Sequence, residues 1–143
     1  PTRPRRVGAA GVVKGYFLSR YSARKLGLRT TGHAGGSQNL RMGSRLTQPG
    51  DDLDEMLRKL HRGLFVTELM GQGVNFVTGD YSRGASGYWV EDGRIVHPVH
   101  EITIAGNLRD MFAAVAAIGA DAYTQGGKTV GSVLIERMQV AGA

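Results

Sequence analysis

The chain has 143 residues, of which 41% are hydrophobic and 21% charged, enough for one domain with a buried core. It contains no cysteine, which excludes disulfides, thiolate nucleophiles and Cys-containing zinc sites. The net charge is +6, unevenly placed: residues 1–50 hold ten Arg and Lys with no Asp or Glu, and residues 51–143 hold eight basic and twelve acidic residues.

Taken in chain order, Gly11–Ser19 is rich in Val and aromatics and predicts a strand. Tyr21–Leu26 predicts a helical turn stopped by Gly27, Thr30–Ser37 a glycine-rich loop, and Asn39–Arg45 a short strand. Asp51–Arg62 predicts a helix, because Leu53, Met56, Leu57 and Leu60 recur at helical spacing. Asp52 serves as its N-cap with Glu55 in the capping-box position, and Gly63 as its stop. Strands are predicted at Leu64–Met70 and Val74–Tyr81 around a Gly-Gln-Gly link. Ser86–Glu91 and Arg94–Val99 flank Asp92-Gly93, a strong hairpin signal, and Glu101–Ala105 continues the strand. Asn107–Ile118 predicts a second helix capped by Asn107, followed by final strands at Val130–Glu136 and Met138–Val140. Strands joined by hairpin-length links, with helices occurring singly, argue for an α+β fold of mainly antiparallel sheet with two principal helices. No repeat or linker divides the chain, so a single domain is expected over residues 1–143. Twenty-two glycines imply many tight turns and close backbone approaches.

Several motifs test for chemistry. Ala122-Tyr-Thr-Gln-Gly-Gly127-Lys128-Thr129 loosely fits a P-loop, but a P-loop follows a strand and opens a helix. Here a helix is predicted before it and a strand after it, leaving a helix-to-strand loop as the plainer reading. The four histidines are His33, His61, His97 and His100. None is paired on a helix as His-Glu-x-x-His requires. In an extended segment His97 and Glu101 would share one face and His100 the other, so these three do not converge. Two loops remain as candidates for meeting a ligand or partner. Thr31-Gly32-His33-Ala34-Gly35-Gly36 offers main-chain N–H groups and an imidazole suited to a carboxylate or peptide backbone, or is a tight loop that needs glycine. Asp80-Tyr81-Ser82-Arg83-Gly84-Ala85-Ser86-Gly87 is either a substrate or partner loop or a wide turn with Gly84 and Gly87 at positive φ. Arg83 could pair with a substrate carboxylate. The basic first 50 residues suit an acidic docking partner or a nucleic acid, or are simply a solvated basic face or one cut away from an acidic neighbour, and no helix-turn-helix, zinc finger or aromatic-basic RNA motif accompanies them.

Six segments also carry a family resemblance. Tyr21-Ser-Ala-Arg-Lys-Leu-Gly27, Thr31-Gly-His-Ala-Gly-Gly36, Val66-Thr-Glu-Leu-Met-Gly-Gln-Gly73, Gly79-Asp-Tyr-Ser-Arg-Gly84, Glu101-Ile-Thr-Ile-Ala-Gly-Asn-Leu108 and Gly131-Ser-Val-Leu-Ile135, in this order, resemble the C-terminal third of TldE/PmbA proteins. These belong to the TldD/PmbA metalloprotease family, also called modulators of DNA gyrase. The resemblance implies a truncated PmbA/TldD C-terminal domain. It implies a non-catalytic subunit that pairs with a TldD-type catalytic subunit, in a cytoplasmic protease acting on unfolded or small peptides, including microcin leaders and antitoxins. Zinc is then expected in the partner and no cofactor in this chain. The expected peptide- or partner-facing residues are His33, Gly35, Gly36, Asp80, Tyr81, Ser82 and Arg83. No apolar run approaches the roughly 20 residues that span a membrane, and the opening Pro-Thr-Arg-Pro-Arg-Arg lacks a signal peptide's apolar core. A cytoplasmic protein without a membrane partner is expected. The competing expectations are a basic nucleic-acid-associated module linked to gyrase modulation and a nucleotide-binding protein using Lys128.

Overall fold

The computed structural model describes residues 3–142. In chain order its elements are β1 (Gly8–Ala9), β2 (Val12–Val13), α1 (Arg20–Lys25), β3 (Leu40–Arg41), α2 (Leu53–Leu60), β4 (Gly63–Met70), β5 (Asp80–Glu91), β6 (Arg94–Asn107), α3 (Leu108–Ala113), β7 (Val115–Ile118), β8 (Tyr123–Gln125), β9 (Lys128–Val130), β10 (Val133–Ile135) and β11 (Gln139–Ala141). The class is α+β with mainly antiparallel sheet, as the sequence predicts, with three helices among the described residues. The chain divides into two compact units, Pro1–Arg41 with Gln125–Lys128, and Met42–Thr124 with Thr129–Ala143.

In the first unit, β1 and β2 form a small hairpin with Gly8 opposite Val13, turning through Ala10 and Gly11 at φ 51° and 74°. The strand predicted over Gly11–Ser19 is realised only at Val12–Val13. Beyond it the chain turns inward at Leu18, whose carbonyl accepts from the Thr31 N–H and the Thr30 hydroxyl, both at 3.0 Å. Ser19 caps α1 by accepting the Ser22 N–H at 3.1 Å. The helix ends in a Schellman motif: the Leu28 N–H reaches the Ala23 carbonyl at 2.8 Å across Gly27, whose φ is 65°.

The second unit is built on a four-stranded antiparallel sheet in the order β11-β6-β5-β4. The Asp92-Gly93 turn predicted from sequence is present, with both residues left-handed (φ 51° and 71°) and Glu91 opposite Arg94. That is the turn geometry whose twist matches the strands it joins. From it β5 and β6 pair down to Asp80 opposite Asn107. The register shifts twice, and Glu101 adopts φ 54° at the shift between Ala85 and Gly87. Bulges of this kind let Val99 and Ile102, three residues apart, both meet the core. The regular alternation expected to put His97 and Glu101 on one face therefore does not run through this segment. One core cluster comprises Ala85, Ile102 and Ile104, with Leu64, Val66, Tyr81, Val99 and Met138 packed against them, and Met56, Leu57, Val90 and Ile118 are buried as well.

Three further predictions are corrected. Val74–Tyr81 is not a strand: only Val74 bridges to Tyr81, and residues 75–79 form a loop. The second helix runs only from Leu108 to Ala113, and Val115–Ile118 is strand β7, paired antiparallel with β10. Its helical pattern is real but α3 packs weakly, with Leu108 and Met111 only half-buried and Phe112 65% exposed, so packing does not hold the whole apolar stripe as helix and sheet pairing captures its second half. The single strand predicted over Val130–Glu136 is split into β9 and β10 at Gly131, where a Cβ would lie 2.1 Å from the Gly119 carbonyl oxygen.

Helix α2 starts as predicted, with the Asp52 carboxylate accepting the Glu55 N–H at 2.9 Å. The Glu55 carboxylate does not complete the box in the expected manner; it accepts from Arg58 at 2.7 Å. The stop is His61 rather than Gly63, which already begins β4. His61 has φ 56° and ψ −63°, and the Arg62 N–H donates to the Leu60 carbonyl at 2.6 Å, a γ-turn. Ahead of the helix, Asp51 is 4% exposed. Its carboxylate accepts from Lys59 at 2.5 Å and from the Gln48 N–H at 2.9 Å, while its carbonyl accepts the Ala120 N–H at 2.6 Å. The Lys59 hydrogen bond, then the Gln48 N–H, hold the Asp51 carboxyl below its ordinary range.

Two predictions follow from this packing. A Cβ at Gly87 would lie 1.9 Å from the Phe65 carbonyl oxygen, so Gly87→Ala is expected to destabilise the chain by about 1–3 kcal/mol in denaturant unfolding. Because folding lowers the Asp51 pKa, its contribution is complete above the unfolded value of about 3.9 and is lost as pH falls through the folded value. Asp51→Asn should therefore lower the melting temperature at neutral pH and flatten its decline in acid; an unchanged acid limb would contradict this role.

Candidate functional site

The Asp80–Arg83 segment lies at the start of β5, in strand rather than in the loop or wide turn allowed for it. Gly87 serves close approach to β4, where a Cβ would lie 1.9 Å from the Phe65 carbonyl oxygen, whereas a Cβ on Gly84 would make ordinary contact with Met70 at 3.5 Å. Neither glycine is at positive φ.

A tight loop over residues 71–79 packs on this strand end. Gly73 accepts the Ser82 N–H at 2.7 Å, and a Cβ at Gly73 would collide with the Ser82 carbonyl oxygen. Asn75 organises the tip: its side-chain oxygen accepts the Val77 N–H at 2.9 Å and the Thr78 N–H at 3.2 Å, and its carbonyl accepts the Gly79 N–H at 2.8 Å. This is the Asx arrangement that competes with strand pairing. It presents Phe76 and Val77 at 87% and 94% exposure.

Each candidate in this group has a structural attachment. The Asp80 carboxylate accepts the Thr78 hydroxyl at 2.6 Å and the Asn107 side-chain amide at 3.5 Å. Tyr81 is half-buried against the core. Ser82 is exposed. Arg83 donates to the Leu69 carbonyl at 3.2 Å and to the Met70 carbonyl at 3.4 Å, lying along the end of β4. Asn107 ties the group together: it donates to the Thr78 carbonyl at 3.0 Å while its oxygen accepts the Arg109 N–H at 3.1 Å as the N-cap of α3. Sequence reasoning found Asn107 as a cap but missed Asn75, Gly73 and Thr78; the signal was the Asn-x-x-Thr-Gly-Asp spacing of an Asx turn.

The other candidates belong to the first unit. His33 is 8% exposed; its Nδ1 lies 3.0 Å from the Thr31 hydroxyl, and its ring meets Phe17 edge-on at 5.1 Å between centroids. Gly35 is exposed, and Gly36 (φ 89°) donates its N–H to the His33 carbonyl at 3.4 Å. The loop is thus a surface of main chain over a packed imidazole. Near Lys128, Gly126 and Gly127 turn at φ 53° and 74°, and a strand rather than a helix follows. The phosphate-cradling helix terminus of a P-loop is not formed there.

A β-rich fold of this kind is shared with solved proteins. Over 99% of this chain and 33% of its own, the crystal structure of a proposed modulator of a DNA gyrase from Thermotoga maritima superposes with a TM-score of 0.83 at 34% identity. "Metalloprotease PmbA" of Escherichia coli O157:H7 is 52% identical over 92% of this chain and 28% of its own length. A "Metalloprotease PmbA homolog" of Haemophilus influenzae is 46% identical over 99% of this chain and 31% of its own. The PmbA/TldA metallopeptidase C-terminal domain profile matches residues 1–142, and the chain belongs to that family. It spans less than a third of the length of these curated relatives.

The family's metallopeptidase name implies a metal. A zinc centre needs three or four converging side-chain donors. Among the described residues no three His, Cys, Asp or Glu side chains converge in this way. His61 faces Asp92 alone at 3.8 Å, and the His97 ring bonds the Pro98 carbonyl at 3.1 Å. The donors among the described residues do not by themselves fit such a centre. No helix among the described residues is long and apolar enough to cross a membrane.

Removing the shared tie should loosen the strand end: Asn107→Ala is expected to cost about 1 kcal/mol as a lost helix cap, and to speed amide hydrogen exchange at Thr78–Ser82 more than at Trp89. Uniform change across both segments would show that Asn107 does not hold this site.

Proposed function

We propose that this chain is the C-terminal part of a PmbA-type, non-catalytic subunit of a cytoplasmic two-subunit zinc metalloprotease. It holds extended peptide while a TldD-type subunit supplies the metal. The observation that carries the reading is strand β4. It is the last strand of the main sheet, and among the described residues nothing pairs with its outer side. Leu69 and Met70 at its end are 41% and 43% exposed, and Arg83 lies beside them. An open edge binds extended peptide through main-chain hydrogen bonds that ignore sequence. That suits a protease acting on unfolded or small peptides, microcin leaders and antitoxins among them. Arg83, which donates to the Leu69 and Met70 carbonyls, keeps further guanidinium donors with which a peptide carboxylate would gain a charge-assisted bond. The metalloprotease names of the relatives, and a donor set that does not converge among the described residues, support metal supplied from elsewhere.

The test co-expresses the full-length protein that contains this chain with a TldD-type subunit. The two should co-purify, and hydrolysis of an unfolded reporter peptide should need both, stop on chelation and return with zinc. Arg83→Ala should raise KM several-fold with kcat nearly unchanged. Peptidase activity in this chain alone would overturn the reading.

A further inference from the structure

The first unit contains ten Arg and Lys and no carboxylate, while all twelve Asp and Glu lie in the second. Its cations therefore have no acidic partner within the unit, and their mutual repulsion favours any partner that brings negative charge. They are concentrated around α1. Arg20, Arg24, Lys25 and Arg29 are all exposed, and the helix anchors itself through Ala23 alone.

What lies between these cations decides the kind of partner. Tyr21 is 71% exposed, Leu26 58% and Leu28 50%. The Schellman bond from the Leu28 N–H to the Ala23 carbonyl fixes the main chain that carries the two leucines, so a partner need not order that backbone on binding. Aliphatic side chains gain nothing from a phosphate backbone, whereas an apolar and aromatic centre rimmed by Arg is the composition of a protein interface. A six-residue helix is also short for reading a DNA groove, where recognition helices lay several turns along the bases.

We propose that the exposed face of α1 and the turn through Arg29 docks a polypeptide segment in which Asp or Glu residues alternate with an aliphatic side chain. The leucines take the aliphatic group, and the four cations take the carboxylates around it, with Arg offering paired donors to each.

The test is fluorescence anisotropy of the full chain with three labelled probes: a peptide alternating Glu and Asp with Leu, the same peptide with Gln and Asn in place of the acids, and a duplex DNA. The acidic peptide should bind, more weakly as NaCl rises, and the amide peptide should not. Leu28→Ser should weaken the acidic peptide about tenfold while leaving the salt slope unchanged. Arg29→Gln, outside the helix and exposed, should reduce that slope without affecting the melting temperature. Three results would overturn the proposal: equal binding of acidic and amide peptides, tighter binding of DNA than of the acidic peptide at the same salt, or full affinity in Leu28→Ser, which would reduce the face to unspecific charge.

Discussion

The pairing of β5 with β6 through Asp92-Gly93 is the constraint on which the second unit rests. Two residues at positive φ set the twist of the hairpin, and from that point the register is carried to Asp80 and Asn107 at the far end. The register decides which side chains reach the core. It places Ala85 opposite Ile102, and the bulge at Glu101 keeps both Val99 and Ile102 against the same cluster. The pairing also sets the strand end that carries Asp80, Tyr81, Ser82 and Arg83.

The candidate site is therefore a consequence of sheet geometry rather than of a free loop. Three positions without side chains let backbones close on one another: Gly73 on Ser82, Gly87 against Phe65, and Gly93 against Arg58. At these positions a Cβ would meet main-chain atoms where two segments must touch, whereas others, such as Gly11, Gly27 and Gly36, serve turns at positive φ with open space around them. Side-chain amides do the remaining work, with Asn75 shaping the tip and Asn107 joining strand end, loop and helix start.

Charge is segregated as sharply as structure. The unit without carboxylates carries its cations beside exposed apolar groups, whereas acid and base in the second unit meet locally, as in Asp51 with Lys59 and Glu55 with Arg58. Where a carboxylate is nearly buried it is ionised and fully engaged, the condition under which burying charge is tolerable. The Asp51 main chain also joins the start of α2 to Ala120, so one residue serves both electrostatics and chain packing.

The sequence alone determined what short-range physics controls. The Asp92-Gly93 hairpin, the caps at Asp52 and Asn107, the Gly27 stop and the α+β class could be read because each depends on dihedral preference or hydrogen bonds within a few residues. The family resemblance was legible too, in ordered strings rather than in chemistry. Tertiary structure alone decided where competing partners were distant in sequence. Val115–Ile118 became strand because β10 lies alongside it, and the end of α2 moved from Gly63 to His61 because Gly63 is taken into β4 opposite Val90. Gly84 and Gly87 proved to be strand residues, with Gly87 in close contact with β4, rather than turn residues. His33 was drawn into packing with Phe17 and Thr31. Local propensity differs by less than a kilocalorie or so between these alternatives, and the contacts that tip the balance exist only once the chain has folded.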